Sequence, residues 1–302
     1  MSLLVFGHKN PDTDSICSCL SMTYLKKSLG IDAIACCLGE PKKEAAFVLN
    51  YFGVEAPKII NSVEEGDECC LVDHNEFGQS VDGLEKATIV EIVDHHKLGG
   101  MTTSTPLSMN LKPVGCTNTI LYSMYKENEI EIPREIAGLM LSAILSDTLI
   151  FRSPTTTEYD ISAAKKLAEI AGVDIEEYGM EMFKAGTSLD GYSIEEIVNM
   201  DFKAFDMGGK NVGIGQVMTL DIDSVMDKKE DFLDYINSAE FDMLYLVITD
   251  IINEGSYLLY KSPDHIVGNA FNVEPSQGVY VDGLVSRKKQ LVPNLTPEVE
   301  KI

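Results

Sequence analysis

The chain has no tryptophan, only five histidines, and 24 lysines and arginines against 48 aspartates and glutamates. The missing indole removes the largest side chain on which a nucleobase could stack. A formal charge of −24, unbroken by any basic stripe, repels a phosphodiester backbone, so no nucleic-acid partner is expected. A small anion would have to arrive with cations or meet a local positive pocket. No apolar run approaches the length of a membrane span, and the start MSLLVFGHKN has no basic n-region, which reads as a cytoplasmic protein without membrane contact. The seven cysteines form no C-x-x-C pair; the vicinal Cys36-Cys37 and Cys69-Cys70 lie in apolar runs, where a reduced thiol acts as a small core residue. Walker A, G-x-S-x-G and dinucleotide fingerprints are lacking, as are internal repeats and low-complexity tracts.

What is present is a globular chain of 302 residues, 45% hydrophobic, long enough for two cores. Leu3 to Phe6 reads as a buried strand closed by Gly7, and Ser15 to Leu29 as a helix ending at Gly30. The alternation continues with Ala33–Leu38 as strand, Pro41–Phe52 as helix with proline in its first turn, and Glu68–Val72 and Thr88–Val93 as strands. Such β and α alternation predicts a parallel sheet flanked by helices. From Thr117 to Gly186 the spacing turns helical, with Pro133 opening one helix and Gly172 ending another. Apolar periodicity lapses over Gly186–Tyr192, which places domains at 1–186 and 193–302 around a linker at 187–192. Beyond it, Asp201–Met207 and Val212–Thr219 flank a Gly-Gly-Lys-Asn turn, and Met243–Ile251 and Ser256–Tyr260 flank Asn-Glu-Gly. A smaller α/β domain with a mixed sheet is expected there.

Six residues able to hold a metal follow the apolar runs of the first domain: His8, Asp12, Asp14, Asp73, His95 and Asp147. In HKNPDTD, Pro11 blocks helix continuation and keeps the loop extended, so His8, Asp12 and Asp14 converge at a strand end. Asp73 ends the apolar run Leu71-Val72, where parallel sheets place ligand-contacting groups, and is suited to bridge two metals. In Val93-Asp94-His95-His96 the adjacent imidazoles point in different directions, which assigns His95 to metal, His96 to a substrate phosphate, and Asp94 to orienting an imidazole. Asp147 ends a helix-like run, where its charge opposes the helix dipole unless a cation compensates it. Val285-Ser286-Arg287-Lys288-Lys289-Gln290 is the one concentrated positive cluster of the second domain, and Lys203 lies on a predicted strand of the same domain. Singly, each has a plainer reading: Asp12 and Asp14 as helix caps, Asp73 and Asp147 as solvated acids at element ends, the basic run as a solvated face. His74 and His265, the latter in a polar loop, default to structural or surface roles. Together the acids and imidazoles suit a pair of divalent cations acting on a phosphate.

In order and spacing along essentially the whole chain, HKNPDTDS, LVDHNE, VDHH, Asp147 and SRKKQ resemble the family II inorganic pyrophosphatases of the DHH phosphoesterase superfamily. The resemblance implies metal ligation by His8, Asp12, Asp14, Asp73, His95 and Asp147, with Asp73 bridging, and phosphate binding by His96, Lys203, Arg287 and Lys288, assisted by Asn10. It also implies two Mn²⁺ per subunit with Co²⁺ as a substitute, Mg²⁺ entering with pyrophosphate, a homodimer, and an active site between a DHH domain and a DHHA2 domain. On that expectation a water shared by the metals, held with Asp14 and Asp73, is activated for in-line attack on one phosphorus. The rival readings are a DHH phosphodiesterase acting on short oligonucleotides or cyclic dinucleotides, and a non-catalytic phosphate or metal sensor.

Overall fold

The computed structural model describes residues 2–302, and the chain divides into two compact units, Met1–Gly186 and Thr187–Ile302. In the first unit the order is β1 (Leu3–Lys9), α1 (Thr13–Ser28), β2 (Ala33–Leu38), α2 (Lys43–Phe52), β3 (Lys58–Ile59), β4 (Glu68–Val72), β5 (Thr88–Asp94) and β6 (Ser108–Leu111). Four helices follow: α3 (Thr117–Glu127), α4 (Arg134–Thr148), α5 (Glu158–Ala171) and α6 (Ile175–Thr187). The strands form one parallel sheet in the order β3-β2-β1-β4-β5-β6. Chain order reverses between β1 and β4, and at such a switch point the loops leaving adjacent strands diverge and open a crevice beyond their carboxyl ends. His8 and Asp73 stand at those two ends.

The sheet is parallel because its strands are apolar on both faces. Phe6, Cys36, Cys69, Leu71 and Ile92 pack on one side, and all are inaccessible to solvent, so the vicinal cysteines are core residues. The helix foreseen from Ser15 begins at Thr13, since the Asp12 carboxylate accepts from Ser15 N–H at 3.0 Å and caps it. Pro41 lies before the second helix, whose N-cap is Lys42, and does not form its first turn.

In the second unit, α7 (Ile194–Asn199) leads into β7 (Phe202–Met207) and β8 (Lys210–Thr219), joined by Gly208 and Gly209 with φ of 61° and 81°. Positive φ at both central residues is the hairpin turn whose twist matches the strands. After α8 (Ile222–Met226) and α9 (Lys229–Ser238) come β9 (Met243–Asp250), β10 (Gly255–Lys261), α10 (Asp264–Phe271), β11 (Val279–Asp282) and α11 (Val292–Val299). His265 therefore sits in the first turn of α10, not in a loop. The mixed sheet runs β11-β10-β9-β8-β7, with only β8 and β9 parallel. Every residue of β9 is buried: Tyr245 and Val247 join Ile266 and Leu295 on one face, while Leu244, Leu246 and Ile248 join Ile197, Phe232 and Ile236 on the other. A central strand covered by helices on both faces gives this unit a core of its own.

Candidate metal centre and phosphate-binding cavity

The crevice at the switch point gathers all six predicted metal ligands. Nε2 of His8 lies 3.4 Å from Oδ2 of Asp12 and 3.3 Å from Oδ2 of Asp73. Nε2 of His95 lies 3.5 Å from the other Asp73 oxygen, Oδ1, 3.8 Å from Asp147 and 4.0 Å from Asp14. Asp73 thus turns one oxygen toward each imidazole. It does so from a left-handed backbone conformation, φ 60°, which aspartate tolerates better than most residues and which commonly marks a functional site.

Each imidazole is locked from behind. Nδ1 of His8 is 2.7 Å from the carbonyl of Lys9, and Nδ1 of His95 is 3.1 Å from that of Val114. Nδ1–H donates to those carbonyls, and Nε2 is left facing the acids, the arrangement that fixes metal-ligating histidines. Asp14, 1% exposed, accepts from Ser18 Oγ, Asn118 Nδ2 and Thr117 N–H at 2.8–2.9 Å. Thr117 Oγ1 also donates to Asp73 at 3.2 Å. The N-termini of α1 and α3 both face these acids, and their dipoles favour negative charge.

The electrostatics show a cage short of positive charge. Burial works against a charged His8, but hydrogen bonds to Asp12 and Asp73 prevail and raise its pKa to about 11. His95 rises in the same way to about 9, again against burial, through Asp73 and the charge of Asp14. Asp73 is pushed up to about 6, first by burial and then by Asp14. Asp147 is held well above the usual carboxylate range by burial and by repulsion from Asp14, Asp73 and Asp12. Its Oδ2 is a buried oxygen with no hydrogen-bond partner among the described residues. Buried acids that repel one another, with one oxygen orphaned, fit divalent cations, and carboxylate oxygen with imidazole nitrogen suits manganese.

The neighbouring residues divide into two kinds. His96 is half-exposed, with Nδ1 2.9 Å from Asp94 Oδ1; the buried Asp94 is kept below its usual pKa, against burial, by hydrogen bonds from His96 and Asn75. His74, 2% exposed, bonds through Nδ1 to Val72 O and through Nε2 to Ser80 Oγ, and burial lowers its pKa to about 4, so it is a neutral structural residue. Asn10 lines a separate hollow of about 310 Å³ with Lys9, Ile60, Asn61 and Asp82. Sequence reasoning missed Thr117, Asn118, Asn75 and Asp160. Asp160, inaccessible to solvent, accepts from Gly115 N–H, Thr119 Oγ1 and Thr157, tying the loop before α3 to that before α5. The one local signal among these was the Thr157-x-x-Asp160 capping box.

In the second unit Lys203, Arg287 and Lys288 line one cavity of about 460 Å³ with Gln216 and Ser286. Arg287 is 8% exposed, and its guanidinium bonds to Asp201. The loop that presents it is stapled by Gln290, whose Oε1 accepts from Val285 and Ser286 N–H and whose Nε2 donates to Gly283 O.

Fold and cage define a two-domain α/β protein with a carboxylate–imidazole site for divalent cations at the switch point of a parallel sheet. Residues 2–144 match the N-terminal domain of the DHH family, and residues 180–297 match the DHHA2 domain. The "probable manganese-dependent inorganic pyrophosphatase" of Clostridium acetobutylicum is 48% identical, over 99% of this chain and 98% of its own. A protein of the same description from Staphylococcus epidermidis is 49% identical over 97% of each. The crystal structure of a Methanococcus jannaschii protein described as a "putative family II inorganic pyrophosphatase" aligns with a TM-score of 0.63 and 44% identity over 98% of this chain and 99% of that one. The chain belongs to the DHH–DHHA2 family of manganese-dependent, or family II, inorganic pyrophosphatases.

Proposed function

We infer that the chain hydrolyses inorganic pyrophosphate to two phosphates in a manganese-dependent reaction. The observation that carries this is end-to-end similarity to proteins of that description, joined to a cage of acids and imidazoles in which one buried Asp147 oxygen has no hydrogen-bond partner among the described residues. We assign His8, Asp12 and Asp73 to one ion and Asp14, Asp73, His95 and Asp147 to a second, so that Asp73 serves both. When bound, the cations supply a lowered water pKa and offset phosphoryl charge.

The chain's own residues do the rest. Asp94 holds a proton on Nδ1 of His96 and raises that imidazole's pKa, leaving Nε2–H to donate to a phosphoryl oxygen. Lys203, Arg287 and Lys288 counter the charge of the two phosphoryl groups and of the departing phosphate, so acceleration comes chiefly from preorganised electrostatics.

The finer reading is two ions per subunit, Co²⁺ as a substitute, Mg²⁺ with the substrate, a cytoplasmic homodimer and no nucleic-acid partner. Support comes from the two-sided Asp73, from seven unpaired buried cysteines suited to a reducing compartment, from the edge strand β6, and from the charge of −24. No helix among the described residues is long and apolar enough to cross a membrane.

Metal-stripped protein given Mn²⁺, Mg²⁺ or Zn²⁺ separately should release phosphate from pyrophosphate, fastest with Mn²⁺, and leave a dinucleotide intact. Preferential cleavage of the dinucleotide, or stoichiometric pyrophosphate binding without turnover in Mn²⁺, would overturn the reading.

A further inference from the structure

Arg287 is a nearly buried cation, and its guanidinium is engaged along one edge only. Nη1 donates to the backbone carbonyl of Asp201 at 2.5 Å and, at 3.4 Å, to that of Ile214; Nη2 donates to the Asp201 carboxylate at 2.6 Å. Asp201 therefore grips the outer edge of the fork with its main-chain and side-chain oxygens together. The same carbonyl accepts Gln216 N–H at 3.0 Å, which fixes Asp201 to β8. A guanidinium carries five N–H donors. The lateral edge, Nε–H with the second Nη2–H, has no partner among the described residues, and Arg287 lines the cavity it shares with Lys203 and Lys288.

We propose that Asp201 is the positioning residue of the phosphate site: it clamps the outer edge of Arg287 so that the lateral edge faces the cavity as a single bidentate fork for one phosphoryl group. The proposal rests on the pyrophosphatase reading for the identity of the anion. Three physical steps support it. A free arginine can present either edge, and immobilising it before binding removes an ordering cost from each encounter. Asp201 is 56% exposed at its side chain while Arg287 is 9% exposed, so the acid screens the buried cation without being desolvated itself. Asp201 also stands two residues before Lys203, so one backbone segment sets the place of both cations.

The test uses the full chain and the non-hydrolysable analogue imidodiphosphate. Asp201→Ala should raise KM for pyrophosphate and weaken analogue binding about 10- to 100-fold, the range for losing a charge-assisted contact, with manganese content unchanged. Asp201→Asn, which keeps an oxygen for Nη2–H, should recover most of that loss. In an Arg287→Ala background, removing Asp201 should change neither quantity further. A fall in melting temperature with KM and analogue affinity intact, or a full additional loss in the Arg287→Ala background, would overturn the proposal. Should Asp201→Ala fail to fold, the wild-type protein still decides: with Mg²⁺ present, the Arg287 Nε–H resonance, assigned by its disappearance in Arg287→Ala, should move downfield on adding imidodiphosphate. A resonance that stays put while pyrophosphate is hydrolysed refutes this proposal alone. A resonance moved by the analogue, in a protein that releases no phosphate from pyrophosphate when given Mn²⁺, refutes the activity and leaves the positioning role standing.

Discussion

At the scale of single residues, the metal-free cage holds protons in place of ions. The pKa of His8 is raised to about 11 and that of His95 to about 9, above the ordinary 6.5. A base whose folded pKa is raised adds stability that is complete below pH 6.5 and disappears as pH climbs through the folded values. Metal-free protein should therefore lose thermal stability between pH 7 and 11, and manganese-loaded protein much less, because both imidazoles are then neutral ligands. Manganese binding at pH 7 should release protons, so calorimetric binding enthalpies should differ between buffers of unlike ionisation enthalpy. Identical enthalpies in all buffers would mean that binding displaces no protons from these histidines. The six residues that meet in the cage were legible in the sequence because each stands in or beside a motif of two or three chemically distinctive residues. Thr117 and Asn118 were not, since they reach Asp14 across more than a hundred positions and nothing near them marks the contact.

At the scale of elements, the cage depends on how closely α1 approaches β1. Gly7 is the contact point: a Cβ there would lie 1.9 Å from Ser15 Oγ and 3.0 Å from Ser15 Cα. Gly7→Ala should force the helix away from the strand, at a stability loss of about 1–3 kcal/mol typical of overpacking. His8 and Asp12 lie on opposite sides of that joint, so manganese affinity should fall along with the melting temperature. Denaturation and metal titration of the one variant check both, and a change in stability without a change in affinity would separate the joint from the site. The central strands were readable as apolar runs, β2 and β4 to the residue. The edges were not: both residues of β3 are exposed, and in β6 Ser108 and Met109 are exposed and Asn110 and Leu111 part-buried, so neither carries the burial pattern that betrays a strand.

At the scale of the whole molecule, a chain of charge −24 must attract a highly charged anion, and three cationic side chains in one cavity of the second unit do not alone reverse that field. On the proposed metal assignment the anionic cage answers this, because divalent cations held there would add positive charge to the field. The parallel and mixed sheets were foreseeable from the order of apolar runs and turns, whereas the ion pair of Arg287 with Asp201 depends on the residue just before β7 and the 285–291 segment meeting in three dimensions. The proposed metal site requires Asp73, whose two oxygens face different imidazoles, to serve two ions. Electron paramagnetic resonance of manganese-saturated protein measures that directly: the wild type should give the broad spectrum of a spin-coupled manganese pair, and Asp73→Ala the six-line pattern of isolated ions at lower stoichiometry. Isolated-ion spectra in the wild type, or a coupled pair that survives Asp73→Ala, would contradict it.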